Sequence, residues 1–484
     1  MKAKRVWSTL LAVAAVAFLI GKAKEFDLVR ASQDAFGKPS GDARLVSVEP
    51  LPTTEGKMCI WMPASASEEV MTGFRQQLLP QSITASNEQV RTSVVLDQPP
   101  IRTLRDTYPT YSAVALDPNT DEVYLQDENL FGYKVFNRLD NTPPTAAFTE
   151  PKRAVGGSKT SMDFNCALYV DPKTGDVYSI SNDVQDTMSV FPRNAEGNVE
   201  PKHKLHTPHR TYGIAVNEED QELILSIQHP PAVMTYRKLA EEYEAPLRIL
   251  EGLHTELADP HGIAIDTKNQ WLFVSNHGAF SLSPDGNYYS NYLPLSGQAE
   301  SKGGPNSSAW AKELPFGRGK LDMALGSGKY QPPSITVYPL KASGDVVPLR
   351  VIQGPKTQLN WPAHLSIDPE RGELFVANDM GDSVLVFSLT ASGNAEPKRQ
   401  LKGPKTRIKN PIGIYADLKN QELWVSNMGN HSATVYPLSA DGDVAPLRMI
   451  RSAPLDKLEK GASMIGNPGG VAYDTKREEI LVPN

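Results

Sequence analysis

The stretch Pro260-His261-Gly262-Ile263-Ala264-Ile265-Asp266, followed after six residues by Phe273-Val274-Ser275-Asn276, decides the fold because it returns along the chain. It recurs as Asn410 to Asp417 with Trp424-Val425-Ser426-Asn427, and as Trp361 to Asp368 with Phe375-Val376-Ala377-Asn378. A further copy runs from Asn467 to Asp474 with Leu481-Val482-Pro483-Asn484, and weaker copies end their first strand at Asp117, Asp171 and Asn217. These are seven copies, spaced about 49 residues apart except for the fourth, which carries an insertion over 278–333. A fixed period of this length marks a repeat architecture.

Each copy continues with an alternating strand such as Ser383-Val384-Leu385-Val386-Phe387, a turn such as Ala391-Ser392-Gly393-Asn394, and then Pro-x-Arg with a last short strand. Four strands per unit follow. The Pro-x-Arg element gives an independent count of seven: Arg102, Arg153, His203 in the Arg place, Arg248, Arg350, Arg399 and Arg448. The first of these precedes the first complete unit, and the last unit stops after two strands. Ser93-Val94-Val95-Leu96 and Ile101-Arg102-Thr103-Leu104 are therefore expected to supply the third and fourth strands of a seventh blade. A closed ring of this kind protects sheet edges that would otherwise template aggregation.

The pattern P-x-G-I-A-x-D, then L-x-V-S-N and a short valine-rich strand, resembles that of NHL-repeat and related YVTN-type β-propellers. The resemblance covers residues 91–484 and implies an all-β, seven-bladed β-propeller of four-stranded blades, its last blade closed by N-terminal strands. It implies no single activity, since that family includes scaffolds, ligand binders, lactonases and lyases.

The rest of the chain divides into an N-terminal segment, 1–24, and an extension, 25–90. Lys2, Lys4 and Arg5 precede an apolar run from Val6 to Gly21, the order of an export signal, to be cleaved or kept as a signal anchor. The chain is thus expected to be exported to the periplasm, the cell surface or the medium, with membrane contact only through that segment. In the extension, Ser65-Ala66-Ser67-Glu68 is a capping box and Val70, Phe74 and Leu78 share a face, which predicts one short helix ended by Pro80.

Composition narrows the function. The chain has 484 residues, 49 Lys and Arg against 56 Asp and Glu, and a net charge of −7, so the overall field that draws a protein to nucleic acid is lacking. Two cysteines, Cys59 and Cys166, are too few for a thiolate metal cluster, though they suffice for one disulfide in an oxidising compartment. Walker A, G-x-G-x-x-G, G-x-S-x-G and H-E-x-x-H motifs do not occur in a suitable context.

In propellers of the resembling family, inner strands start and second strands end on one face, where ligands bind. That face would collect Cys166, Tyr212, His261 and His364 from strand starts. It would collect Asn276, His277, Asn378, Asp379, Asn427 and Asn484 from strand ends. Tyr212 and the four asparagines are candidate ligand contacts, although an asparagine after a strand also suits a tight turn. His261, His277, His364 and Asp379 are candidate ligands for one divalent ion of the zinc kind. The leading expectation is a non-catalytic scaffold binding a protein or small molecule, and the alternative is a metal-dependent, lactonase-like hydrolase or lyase at the channel mouth. The repeated first-strand aspartates are expected to serve the fold at the tight turn, and the Pro-x-Arg arginines to lie on the surface of the outer strands.

Overall fold

In this computed structural model the described residues are 99–107, 109–182, 185–280 and 329–452, with the short strands 472–474 and 479–481. The export segment, the extension with its capping box, Cys59, Ser93 to Leu96, Asn484 and most of the insertion lie outside them.

A first strand, β1 (Arg102–Asp106), precedes blade 1, which comprises β2 (Tyr111–Asp117), β3 (Glu122–Asp127), β4 (Gly132–Asn137) and β5 (Arg153–Gly156). Blade 2 is β6 (Asn165–Val170), β7 (Val177–Ser181), β8 (Thr187–Phe191) and β9 (His203–His206). Blade 3 is β10 (Thr211–Asn217), β11 (Glu222–Ile227), β12 (Ala232–Arg237) and β13 (Arg248–Leu250). Blade 4 opens with β14 (Pro260–Asp266) and β15 (Trp271–Asn276). A two-stranded ladder, β16 (Ala279–Phe280) with β17 (Lys329–Tyr330), forms the base of the insertion, and β18 (Ser334–Pro339) and β19 (Arg350–Gln353) complete the blade. Blade 5 is β20 (Pro362–Asp368), β21 (Glu373–Asn378), β22 (Ser383–Ser388) and β23 (Arg399–Lys402). Blade 6 is β24 (Pro411–Asp417), β25 (Glu422–Asn427), β26 (Ser432–Pro437) and β27 (Arg448–Ser452). No α-helix occurs among the described residues.

The inner strands touch in the order β2, β6, β10, β14, β20, β24 and back to β2, so six blades close the ring. The described residues form an all-β, six-bladed β-propeller, and the expected seventh blade is a correction. Its cause lies in the chain ends. Blade 6 already has its own fourth strand, β27, and β1 adds outside it as a fifth strand, in parallel, with Arg102 opposite Arg448 and Leu104 opposite Ile450. At the other blade junctions, the residue after the Pro-x-Arg arginine on the outermost strand accepts a hydrogen bond from the next blade: Gly197 N to Ala154 O at 2.7 Å, Gly344 N to Ile249 O at 2.7 Å, Gly442 N to Gln400 O at 2.8 Å. Thr142 N gives the same bond to Thr103 O at 3.0 Å, so β1, not β27, latches blade 1. The seventh repeat copy appears only as β28 (Ala472–Asp474) paired with β29 (Glu479–Leu481), a sheet of its own. Residues Tyr473–Leu481 belong with Met1–Arg91 to a second unit.

The repeated motif residues serve the ring. Strands sandwiched between neighbouring sheets are buried on both faces, which is why β21 and β25 are buried along their whole length. The serine of V-S-N joins blades: Ser275 Oγ accepts from Gly262 N at 2.8 Å and donates to Ala363 O of blade 5 at 2.6 Å. The glycine beside it permits this approach, because a Cβ at Gly262 would stand 2.3 Å from Ala363 O. Asp266 Oδ1 accepts from Asn269 N and Asp417 Oδ1 from Asn420 N, both at 3.0 Å, so the first-strand aspartates cap the turn as expected. The arginines do more than cover a surface. Arg153 pairs with Glu122 at 2.7 Å, Arg248 with Glu222 at 2.7 Å and Arg399 with Glu373 at 2.5 Å, and Arg448 pairs with Glu422. In blade 4 a tryptophan replaces the glutamate, and Arg350 lies over the Trp271 ring at 4.1 Å.

Candidate functional site at the channel mouth

One backbone hydrogen bond recurs in all six blades and builds the mouth. The residue just past each second strand donates its N–H to the carbonyl of the residue just before the inner strand. The pairs are Glu128 to Thr110, Asn182 to Phe164, Gln228 to Arg210, His277 to Asp259, Asp379 to Trp361 and Met428 to Asn410, all between 2.9 and 3.1 Å. Arg210, Asp259, Trp361 and Asn410 have left-handed backbones, with φ from 42° to 63°. These twelve positions hold different side chains from blade to blade, while the flanking Pro, Gly, Ser and Asn recur. The variable set is the part of each repeat that the fold leaves open to chemistry.

Blade 4 concentrates that chemistry. Asp259, His261 and His277 offer donor atoms that all lie within 4.8 Å of one another. Asp259 Oδ1 is 3.6 Å from His261 Nδ1 and 3.4 Å from His229 Nε2, and Asp259 Oδ2 is 3.9 Å from His277 Nδ1. The His261 and His277 rings stack with centroids 3.3 Å apart, and Trp361, 46% exposed, continues the stack at 5.0 Å from His277. Tyr212 closes it on the inner side, its ring 4.3 Å from His261. Asp259 Oδ1, His277 Nε2 and His229 Nδ1 are buried without a hydrogen-bond partner. Burial lowers His261 to about 3 and His229 to about 4, and pushes His277 well below its ordinary value, so all three imidazoles are neutral at neutral pH. Burial raises Asp259 to about 7.

Of the residues singled out from sequence, His261 and His277 meet, and His364 and Asp379 stand apart from them. His364 occupies the place of the motif glycine in blade 5. From there its Nε2 reaches the Cys166 carbonyl at 2.8 Å, in blade 2, which lies three blades away and so across the channel. Below it the inner strands surround a cavity of about 360 Å³, lined from all six blades by residues such as Val114, Leu168, Ile214, Ile263, Leu365 and Ile414. Asp379 Oδ1 accepts from Asn410 Nδ2 at 3.0 Å, and burial raises it to about 6.

The asparagines are consumed by the fold rather than offered at the rim. Asn276, Asn378 and Asn427 are buried, and their Oδ1 atoms accept from Ala258 N at 3.0 Å, Asn360 N at 2.7 Å and Lys409 N at 3.3 Å. Each thereby pins the loop that enters its own inner strand. Cys166 is a buried free thiol whose sulfur lies 3.3 Å from the Tyr212 carbonyl, and burial pushes its pKa up. Its expected disulfide partner, Cys59, lies outside the described residues.

Asp259, His229, Gln228, Trp361 and Glu128 were not legible as site residues from motif matching. Their signal was positional: each sits next to a repeated Pro or at the end of a repeated strand, where its own copy departs from the others.

No known family model matches the chain, and no curated protein matches it in sequence. Many solved structures match in fold. Among them a chain of hydrazine synthase from Kuenenia stuttgartiensis aligns over 70% of this chain and 98% of its own, at 10% identity and a TM-score of 0.42. That is a likeness of fold.

Proposed function

We propose that this propeller is an exported, non-catalytic binding scaffold of the NHL-repeat and YVTN kind, and that its mouth takes a small, positively charged organic molecule. The observation that carries the ligand class is that three of the twelve variable mouth positions hold carboxyl groups, Glu128, Asp259 and Asp379, and none holds a lysine. Burial raises the Tyr212 hydroxyl well above its usual value, and Cys166, Glu128, Asp379 and Asp259 add to that in smaller measure. Burial raises Glu128 and Asp259 to about 7 and Asp379 to about 6, and each loses free energy by ionising there until a cation compensates it. Exposed aromatic faces flank the well: Trp361 on one side, and on another the edge-to-face pair Phe131 and Phe164, 42% and 41% exposed, with centroids 5.4 Å apart. Acidic groups and exposed aromatic rings at one mouth suit an ammonium ligand.

The test is a calorimetric and tryptophan-fluorescence titration of the full chain with choline and spermidine, and with acetate as the anionic control. Saturable binding of a cation, weakened at least tenfold in Asp379→Asn and Glu128→Gln, supports the proposal. No binding, or an equal response to acetate, overturns it. Export rests on Lys2, Lys4 and Arg5 before the apolar run, and is checked by fractionating cells that express the full chain. A second reading, a metal-dependent hydrolase or lyase of the lactonase kind, draws on Asp259, a carboxyl held near neutrality beside imidazoles. Chelator-sensitive opening of a simple lactone would favour it over the scaffold.

A further inference from the structure

We propose that Asp259, His261 and His277 form a site for one transition-metal ion of the zinc class, with His229 beside it. Binding of an organic cation is not required for this inference, and each can fail alone.

The separations carry it. Asp259 stands 3.4 to 3.9 Å from three imidazole nitrogens, too far for good hydrogen bonds. Ligand atoms at about 2.0–2.1 Å from a tetrahedral ion lie about 3.3 Å apart, and the donors here, within 4.8 Å of one another, reach that spacing by side-chain rotation. The stacked rings of His261 and His277 must turn toward each other for their lone pairs to converge. One donor atom of the cluster, Asp259 Oδ1, is buried without a hydrogen-bond partner, an arrangement that an ion would relieve.

The donor set selects the metal. Two neutral imidazoles with one carboxylate suit zinc and its neighbours, whereas calcium and magnesium prefer oxygen alone. Thiolate plays no part, since the Cys166 sulfur is engaged with backbone carbonyls.

Gln228 is the orienting partner. Its amide nitrogen is 2.9 Å from His261 Nε2, while His261 Nδ1 is 2.9 Å from the Asp259 carbonyl. In that arrangement Nδ1 carries the proton. Turning the Gln228 amide over presents its oxygen instead, which holds the proton on Nε2 and frees Nδ1 for the ion. A side-chain partner that fixes the tautomer of a ligating histidine is the usual companion of such a site.

The experiment uses the full chain, stripped with chelator, titrated with Zn²⁺ by calorimetry and with Co²⁺ by visible absorption. The expected result is one ion per chain with the visible bands of four-coordinate cobalt. Asp259→Asn and His277→Gln are expected to weaken binding at least a hundredfold, and Gln228→Ala roughly 10–100-fold. His203→Gln, on the outer strand of blade 2, should bind as wild type does. Circular dichroism of each variant without metal separates loss of the site from loss of the fold. If Asp259→Asn does not fold, His277→Gln and Gln228→Ala decide. Absence of stoichiometric uptake by the wild type, or unchanged affinity in folded His277→Gln and Gln228→Ala, overturns the proposal.

Discussion

Arg102 and Arg448 lie directly opposite each other in a parallel pair of strands, although 346 residues separate them, since 448 − 102 = 346. Both close a Pro-x-Arg element, so the two ends of the ring present equivalent strands to one seam, and the chain uses both. Strand β27 fills the fourth place of blade 6, and β1 takes over the bond to blade 1. Arg138 of blade 1 reinforces the seam by pairing with Glu422 of blade 6 at 3.0 Å.

The seam depends on Asp106 at the end of β1. Its carboxylate receives Lys134 Nζ at 2.9 Å and the Tyr111 hydroxyl at 2.6 Å, with both charges almost wholly buried. Asp106→Ala leaves the lysine with Asp127 alone, at 3.0 Å. The expected loss is about 3–5 kcal/mol of unfolding free energy by urea titration, since removing one partner of a buried pair exposes the cost of the other. A loss under about 1 kcal/mol would show that β1 does not hold the ring closed.

Glu122 provides an acid-side test of the glutamate–arginine pairs. Burial alone would raise its pKa, but hydrogen bonds from Arg153 and Lys152 outweigh that and lower it to about 2. A carboxyl lowered in the folded state stabilises above its unfolded value of about 4.3 and loses that contribution as pH falls toward 2. Glu122→Gln should therefore cost about 1–3 kcal/mol at pH 7, after allowance for the solvent around Lys152, and the difference from wild type should shrink steadily below about pH 4.

Glu128 should behave in the opposite sense. Burial raises it to about 7, so the folded state binds its proton more tightly than the unfolded chain does. Its ionisation costs nothing below about pH 4 and the full amount above about pH 7. Glu128→Gln is expected to melt higher than wild type at pH 8, by about 1–3 kcal/mol, and to match it at pH 4. Equal melting at both values would place this carboxyl in ordinary solvent.

Replacing His364 with alanine removes its bond to the Cys166 carbonyl and should cost about 1–3 kcal/mol. The distinctive readout is amide hydrogen exchange. Protection should fall in β6 as well as in β20, on opposite sides of the ring. Faster exchange confined to β20 would mean that the bond carries no coupling.

The sequence made the blade legible and the ring only partly so. Period, strand count per blade, turn aspartates and the site of the insertion followed from the recurrence of P-x-G-I-A-x-D and V-S-N, because each of those residues meets the same need in every blade. The number of blades did not follow. Counting motifs cannot tell whether a terminal Pro-x-Arg strand completes a new blade or adds to an old one, and that choice is settled by edge pairing between Arg102 and Arg448. At the mouth, His261 and His277 were legible as histidines at corresponding ends of one blade. Asp259 was missed because an Asp-Pro pair reads first as a turn, and His364 was misplaced because one residue of register sends it across the channel instead of into the cluster. The arginines were read as surface, since their glutamate partners stand a whole hairpin away in sequence.

A hoop of six sheets held only by contacts between neighbours can ovalise, each joint flexing a little. The His364 side chain changes that mechanical condition, because it ties two points on opposite sides of the hoop. It acts as a spoke, and Tyr212 of blade 3 packs against it with ring centroids 5.4 Å apart, so strain in one blade is passed straight to the far side of the hoop.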